Sequence, residues 1–363
     1  MKIDHLAVKN FKGFESREFS FHPEFNLVVG MNGTGKTSLL DALAVAIGSW
    51  FLGIRGRNTS SRPIQQSEVR LRYLQQWERI YPSEITAYGR VSQQDITWSR
   101  SLNTPKGRTT SVNAHAIKEL AMKADESIRK GQTITLPLIS YYGTGRLWQE
   151  PRESFEVLDP QKVAGKEEQS RLNGYHNSVD PRLSVNQLTR WIAWQSWIAY
   201  QEKNRETSIF SVVKKALVTC VEDAHDLYFD AKTGEVIVEF SRARQPFSNL
   251  SDGQRCMLAM VGDIAHKAAQ LNPHLGQMAL HDTDGVVLID ELDLHLHPRW
   301  QRRVIEDLRR VFPQIQFICT THSPFLIQSL RSGEELLMLE NTTVQGACQK
   351  VTDGSNYHFT ADH

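Results

Sequence analysis

Residues 27–43 read LVVGMNGTGKTSLLDAL: an apolar run, three glycines crowded around Lys36, then apolar residues at helical spacing. No other stretch constrains the fold as strongly. Gly30, Gly35, Lys36 and Thr37 satisfy G-x-x-x-x-G-K-[ST], with a strand pattern before and a helix pattern after. Each residue type has a physical reason. Glycines at 30, 33 and 35 let successive backbone N–H groups turn inward and approach an anion with no Cβ in the way. The helix that follows points its N-terminal amides and positive dipole end at the same anion. Lys36 is placed to bridge β- and γ-phosphates, and the Thr37 hydroxyl to bind Mg²⁺. Asn32, Gly33, Thr34 and Ser38 complete the expected cradle, which points to a nucleoside triphosphate with Mg²⁺ as its cofactor.

Three further segments fit that reading. Residues 285–298, GVVLIDELDLHLHP, form a buried-strand pattern that delivers Asp290 as a Mg²⁺ ligand and Glu291 as the base that polarises the attacking water. Residues 247–260, FSNLSDGQRCMLAM, place Ser251 as a helix cap, with Gly253 and Gln254 in the first turn, a second anion-binding helix start. Residues 314–324, QIQFICTTHSP, read as another buried strand ending at His322, whose imidazole is placed to hydrogen-bond a γ-phosphate. His295 and His297 resemble a metal pair, but no third ligand accompanies them.

Composition narrows the class. A chain of 363 residues can bury a large core, and a formal net charge of +1 excludes a polycation that binds nucleic acid through a global field. Four dispersed cysteines (Cys220, Cys256, Cys319 and Cys348) suit a reducing cytoplasm. No signal-peptide pattern and no apolar run of membrane-spanning length is present, so a soluble cytoplasmic protein is expected. Periodicity predicts strands before the glycine loop, a hairpin at 83–102 with GRVSQQ between its halves, and a surface helix closed by Gly131. It also predicts a buried strand at 133–146, helices at 184–203 and 208–224, a hairpin at 227–240 and an α/β section from 250 to 340. Residues 148–182 are polar and irregular, the best candidate for a mobile loop.

Together these motifs resemble the branch of ABC-type ATPases that includes RecF, the SMC proteins and the OLD-type ATPases. LAVKNFKGFES resembles that branch's opening strand and turn, and IDELDLHLHPRWQ with THSPFLI resembles its RecF- and OLD-like members rather than transporter ATPases. ISYYGTGRLW and GYHNSVDPRLS resemble small stand-alone bacterial ATPases of anti-phage modules such as Septu, PARIS and retron-associated systems. The resemblance covers residues 1–50, 133–148, 172–184 and 245–330. It implies an α/β P-loop NTPase fold, an ABC-type head with an antiparallel β subdomain and a helical insertion lobe. The expected divisions are a discontinuous nucleotide-binding core of residues 1–50 and 255–345, an inserted lobe of 51–254 and a tail of 346–363.

The resemblance also implies a mechanism. Two heads sandwich two ATP molecules in a homodimer or higher homo-oligomer, Ser251 and Gly253 of one copy closing over the γ-phosphate held by Lys36 of the other. The expected role is regulation of a separate effector protein in anti-phage defence. The alternative is a DNA-repair ATPase of RecF type acting on nucleic acid directly. Two departures stand out. The strand expected to carry the family's Q-loop glutamine ends instead in Tyr142-Gly-Thr-Gly-Arg146, with no glutamine until Gln149. No coiled-coil arm separates the motifs, and the chain stops soon after EELLMLENTTVQG, so any nuclease or toxin is expected on a partner.

Other features have two readings. Arg55 and Arg57 lie where SMC relatives carry a phosphate-contacting arginine; a solvated basic loop is the alternative. Trp191, Trp194 and Trp197 form a stripe of helical spacing that suits core packing, with a docking surface as the alternative. RWQRRVIEDLRR reads as a solvated helix face, with contact to DNA or a partner as the alternative.

Overall fold

The computed structural model describes residues 1–55, 61–73, 75–147, 170–183, 185–203, 205–221 and 223–340. The expectations for Arg57, Gln149, the first residue of the helix at 184–203, the tail at 346–363 and most of the 148–182 loop lie outside the described residues.

In chain order the strands are β1 (Lys2–Phe11), β2 (Phe14–Ser20), β3 (Phe25–Gly30), β4 (Leu71–Tyr73), β5 (Trp77–Arg79), β6 (Ser83–Val91), β7 (Gln94–Leu102) and β8 (Leu138–Tyr142). They continue with β9 (Ala224–Asp230), β10 (Glu235–Phe240), β11 (Arg244–Pro246), β12 (Gly285–Ile289), β13 (Ile315–Thr320) and β14 (Leu336–Leu339). The longer helices are α1 (Lys36–Ile47), α2 (His115–Arg129), α3 (Val185–Gln201), α4 (Ser208–Cys220), α5 (Asp252–Leu271) and α6 (Val304–Val311).

Five parallel strands in the order β14-β3-β13-β12-β8 form the central sheet, and β2-β1-β6-β7 form an antiparallel sheet beside it. The central strands are near-continuous apolar runs because both their faces are covered. Side chains alternate between two cores. Val28, Val286, Leu288 and Ile318 point into the layer that holds α1 and the antiparallel sheet. Leu27, Val287, Ile289 and Cys319 point into the opposite layer, with α4, α5 and α6.

Helix α1 is apolar almost all round, and ten of its residues are buried, because it is packed between the two sheets. It ends at Ile47 and continues as a tighter 3₁₀ segment, Gly48–Leu52. The predicted hairpin at 83–102 is present, but its connection is shorter than expected. Only Ser92 and Gln93 turn the chain, both at positive φ (49° and 63°), as a two-residue hairpin loop requires.

Strands from the 51–254 span pair with strands of both large sheets. Strand β6 pairs with β1, and β8 is the edge of the central sheet, paired with β12. Residues 83–142 are therefore interleaved with the core. The three-stranded sheet β11-β10-β9 and helices α3 and α4 form the remaining layer in front of α5.

The arginine-rich segment also differs from the continuous solvated helix expected. It breaks into a short turn, Pro298–Gln301, and α6. Arg309 is buried, with its guanidinium against Glu335 and over the Phe25 ring, and Arg303 and Arg310 both pair with Asp307. Arg302 lies over the ring of Phe325. Within the tryptophan stripe, Trp191 packs on Phe210 and His266, whereas Trp194 and Trp197 stack on each other.

Candidate functional site

Strand β3 carries the chain to the C-terminal edge of the central sheet, where the glycine loop turns it into α1. Gly33 and Gly35 adopt φ values of +82° and +100°, which L side chains rarely tolerate. At Gly35 a Cβ would also stand 2.7 Å from the Phe14 ring. Thr34 ties the loop to itself, donating from its amide and its hydroxyl to the Met31 carbonyl (3.3 and 2.9 Å). Asn32, Gly33 and Thr37 are exposed, and Ser38 is half-buried.

Lys36 is buried and folds back over the loop, its Nζ donating to the carbonyls of Gly30 (2.6 Å) and Met31 (3.0 Å). Burial pushes its pKa below the ordinary lysine value, while the carboxylates of Asp290, Glu291 and Asp293 pull the other way. The ammonium is thus shared among carbonyls that an incoming phosphate would displace.

Parallel pairing of β12 with β13 sets Ile289 beside Cys319 and brings two strand ends together. Asp290 accepts from the Thr37 hydroxyl (2.9 Å) at one oxygen and from the Thr320 hydroxyl (2.6 Å) at the other. The Thr320 hydroxyl accepts in turn from the Glu291 amide (2.7 Å). A buried carboxylate held by two hydroxyls is oriented but not neutralised. The paired hard oxygens of Thr37 and Asp290 suit a cation such as Mg²⁺, which is held by few protein ligands and completes its shell with water and phosphate. Among the described residues no cluster of His, Cys, Asp or Glu suits another metal, in keeping with His297 serving as a helix cap that accepts from the Arg299 amide.

Glu291 sits in the left-handed region (φ 50°), and its side chain is half-buried beside the loop. Arg146 is almost fully buried and donates to the carbonyls of Gly143 (3.0 Å), Asp290 (2.6 Å) and Glu291 (2.6 Å). Beyond Glu291, Asp293 accepts from the Thr321 hydroxyl and from the His322 amide (3.4 Å), so the exposed His322 is fixed by its backbone at the same edge.

The start of α5 forms a capping box: Ser251 accepts from the Gln254 amide (3.3 Å) while the Gln254 side chain accepts from the Ser251 amide (3.0 Å). Ser251 and Asp252 are exposed. Gly253 is buried, and its close approach is to this chain's own backbone: a Cβ there would lie 2.1 Å from the His295 carbonyl. Gly253→Ala is therefore expected to force the 293–297 turn away from α5 and lower stability by about 1–3 kcal/mol, read as a drop in the urea midpoint. An unchanged midpoint would show that this contact is not tight.

Arg55 donates to Asp125, which is fully buried and also paired with Arg129. This pairing holds α2 against the end of the 48–52 turn and accounts for Arg55 without a phosphate. Sequence reasoning missed Thr320 and Arg146. The signal for Thr320 was a hydroxyl at the end of the buried strand 315–320, and for Arg146 the arginine standing where a glutamine was sought.

A family model described as "AAA domain, putative AbiEii toxin, Type IV TA system" matches residues 25–328. The chain belongs to this family. Membership makes it a P-loop ATPase, and the glycine loop, β12 and β13 all lie within the matched span. Among its relatives are the Retron Vc95 probable ATPase of Vibrio cholerae serotype O1 biovar El Tor, 24% identical over 92% of this chain and 73% of the relative. The Septu protein PtuA of Bacillus thuringiensis is 22% identical over 92% of this chain and 74% of the relative. In fold, this AAA-family chain is similar to an SMC head solved with the C-terminal winged-helix domain of ScpA. That match has a TM-score of 0.52 and 14% identity over 93% of this chain and 94% of the other. No described helix is long and apolar enough to cross a membrane.

Proposed function

We propose that this ATPase works as a switch in which MgATP joins two copies head to head, and that the joined state controls an effector protein in an anti-phage defence module. The observation that carries the reading is the division of the anion-binding parts. The loop around Lys36, with Thr37, Asp290 and Thr320, is a connected cradle, whereas the Ser251 cap faces solvent at the start of another helix. A capped helix start offers amides and a positive dipole end to an anion, and here no described group of the same chain covers its exposed face.

In the joined state the loop amides and Lys36 would hold the phosphates, and Thr37 and Asp290 would hold Mg²⁺, which would supply charge neutralisation for the triphosphate. Ser251 of the second copy would close over the γ-phosphate. Glu291 would take the proton of the attacking water, and His322 would hydrogen-bond the departing phosphate. The defence setting is supported by relatives that bear the names retron and Septu. A role acting on DNA directly is less well supported, because Arg303, Arg309 and Arg310 are spent on internal carboxylates.

Turnover per molecule should rise with protein concentration. Lys36→Ala and Ser251→Arg should each be inactive alone, yet an equal mixture should recover about a quarter of wild-type turnover. Half of the randomly assembled pairs would then hold one intact composite site out of two. Phosphate release measured on the mixture decides the matter; no recovery at concentrations where the wild type is active would refute the paired arrangement.

A further inference from the structure

Arg146 is buried on the 3₁₀ turn Thr144–Leu147 that follows β8. A cation in such a place needs compensation, and here it is supplied by carbonyls. One terminal nitrogen serves Gly143 and Asp290, the other Glu291, at 2.6–3.0 Å. The planar guanidinium therefore spans the consecutive carbonyls of the two acids, which a single ammonium cannot do with the same geometry. It also stands against the thiol of Cys256, where burial raises the thiol pKa and the guanidinium pulls it back. Its neighbours thus come from β8, from the exit of β12 and from the first turns of α5.

The backbone that Arg146 grips is an unusual one. Glu291 holds φ 50°, a conformation that costs a side-chain-bearing residue energy unless its surroundings impose it. The Thr320 hydroxyl fixes the amide of Glu291 from one side, and Arg146 fixes its carbonyl from the other. With both ends of the residue held, the direction in which its side chain leaves the backbone is set before nucleotide arrives.

We propose that Arg146 is the positioning residue for hydrolysis, holding the Asp290–Glu291 turn in the left-handed form that aims Glu291 at the attacking water. This rests on the role given to Glu291 above. Displacing a reacting group by about an ångström costs on the order of a hundredfold in rate. Arg146→Ala should accordingly lower kcat by about 30–100-fold while changing ATP affinity, measured with a fluorescent ATP analogue, by less than about threefold. Millimolar guanidinium ion should restore part of the lost turnover in Arg146→Ala and leave the wild type unaffected. Arg146→Lys, which keeps the charge and most of the volume, should remain impaired, because it lacks the fork; it also serves as the test should the alanine variant fail to fold.

A kcat within about threefold of wild type in a folded variant would overturn the assignment, as would a loss of ATP affinity equal to the loss of kcat. The failure of the paired-head reading would look different. Wild-type turnover would be independent of protein concentration, while this comparison of kcat with affinity would still be readable.

Discussion

Glu291→Gln is expected to retain MgATP, lose turnover by about 10²–10⁴-fold and accumulate as a dimer that persists while ATP is present. The substitution is nearly isosteric, and the bonds that shape the turn use the backbone of residue 291. Its amide donates to Thr320 and its carbonyl accepts from Arg146. Neither bond needs the carboxylate, so the site should remain assembled and only proton abstraction should fail. A nucleotide that closes the interface but is not hydrolysed leaves no route to reopening except dissociation, and the dimer should build up. Size-exclusion chromatography in MgATP, set beside phosphate release, reads both effects. Wild-type turnover in this variant would remove Glu291 from the base role. Loss of turnover with no dimer at any concentration would instead separate hydrolysis from assembly.

The glycine loop, the acids at 290 and 291 and the Ser251 cap were legible because each is local: a spacing within one strand, turn or helix start that dictates its own geometry. The parallel order of the central sheet was legible only as a class. Arg146 lies 144 residues from the Asp290 carbonyl it meets, and Thr320 lies 30 residues from Asp290. Those meetings are created by β8 and β13 pairing on either side of β12, and no periodicity in one segment reports which strand lies beside it. The same holds for β6 and β8, which join different sheets although both lie between the glycine loop and the Ser251 cap. The arginine-rich segment shows a further limit. Its charge suggested a solvated face, but most of α6 is buried, and Arg309 is covered along with Val304, Ile305 and Leu308. A buried arginine is acceptable there because two carboxylates meet it, Glu306 from its own helix and Glu335 from the chain before β14.

That pairing leads to a second large effect, on stability. Arg309→Ala is expected to destabilise the fold by about 3–5 kcal/mol, because it leaves a buried carboxylate without its cation. The Arg309 and Glu335 side chains are 7% and 2% exposed, and the guanidinium also lies 5.3 Å above the Phe25 ring at the start of β3. Glu335 immediately precedes β14, which pairs in parallel with β3 and sets Leu339 beside Gly30 of the phosphate loop. The pair therefore pins the edge strand against which the loop is shaped: a Cβ on Gly30 would meet the Leu339 carbonyl at 2.4 Å. Losing the pair should free β14 first, so amide hydrogens of residues 336–339 should lose exchange protection before those of β12. Replacing both partners with apolar residues of similar size, Arg309→Met with Glu335→Leu, should recover most of the loss, since the cost lies in the orphaned charge rather than in the missing attraction. Urea unfolding of the single and double variants checks the difference. A loss below about 1 kcal/mol in Arg309→Ala would mean that water reaches the pair, and the anchoring of β14 would then have to come from its strand pairing alone.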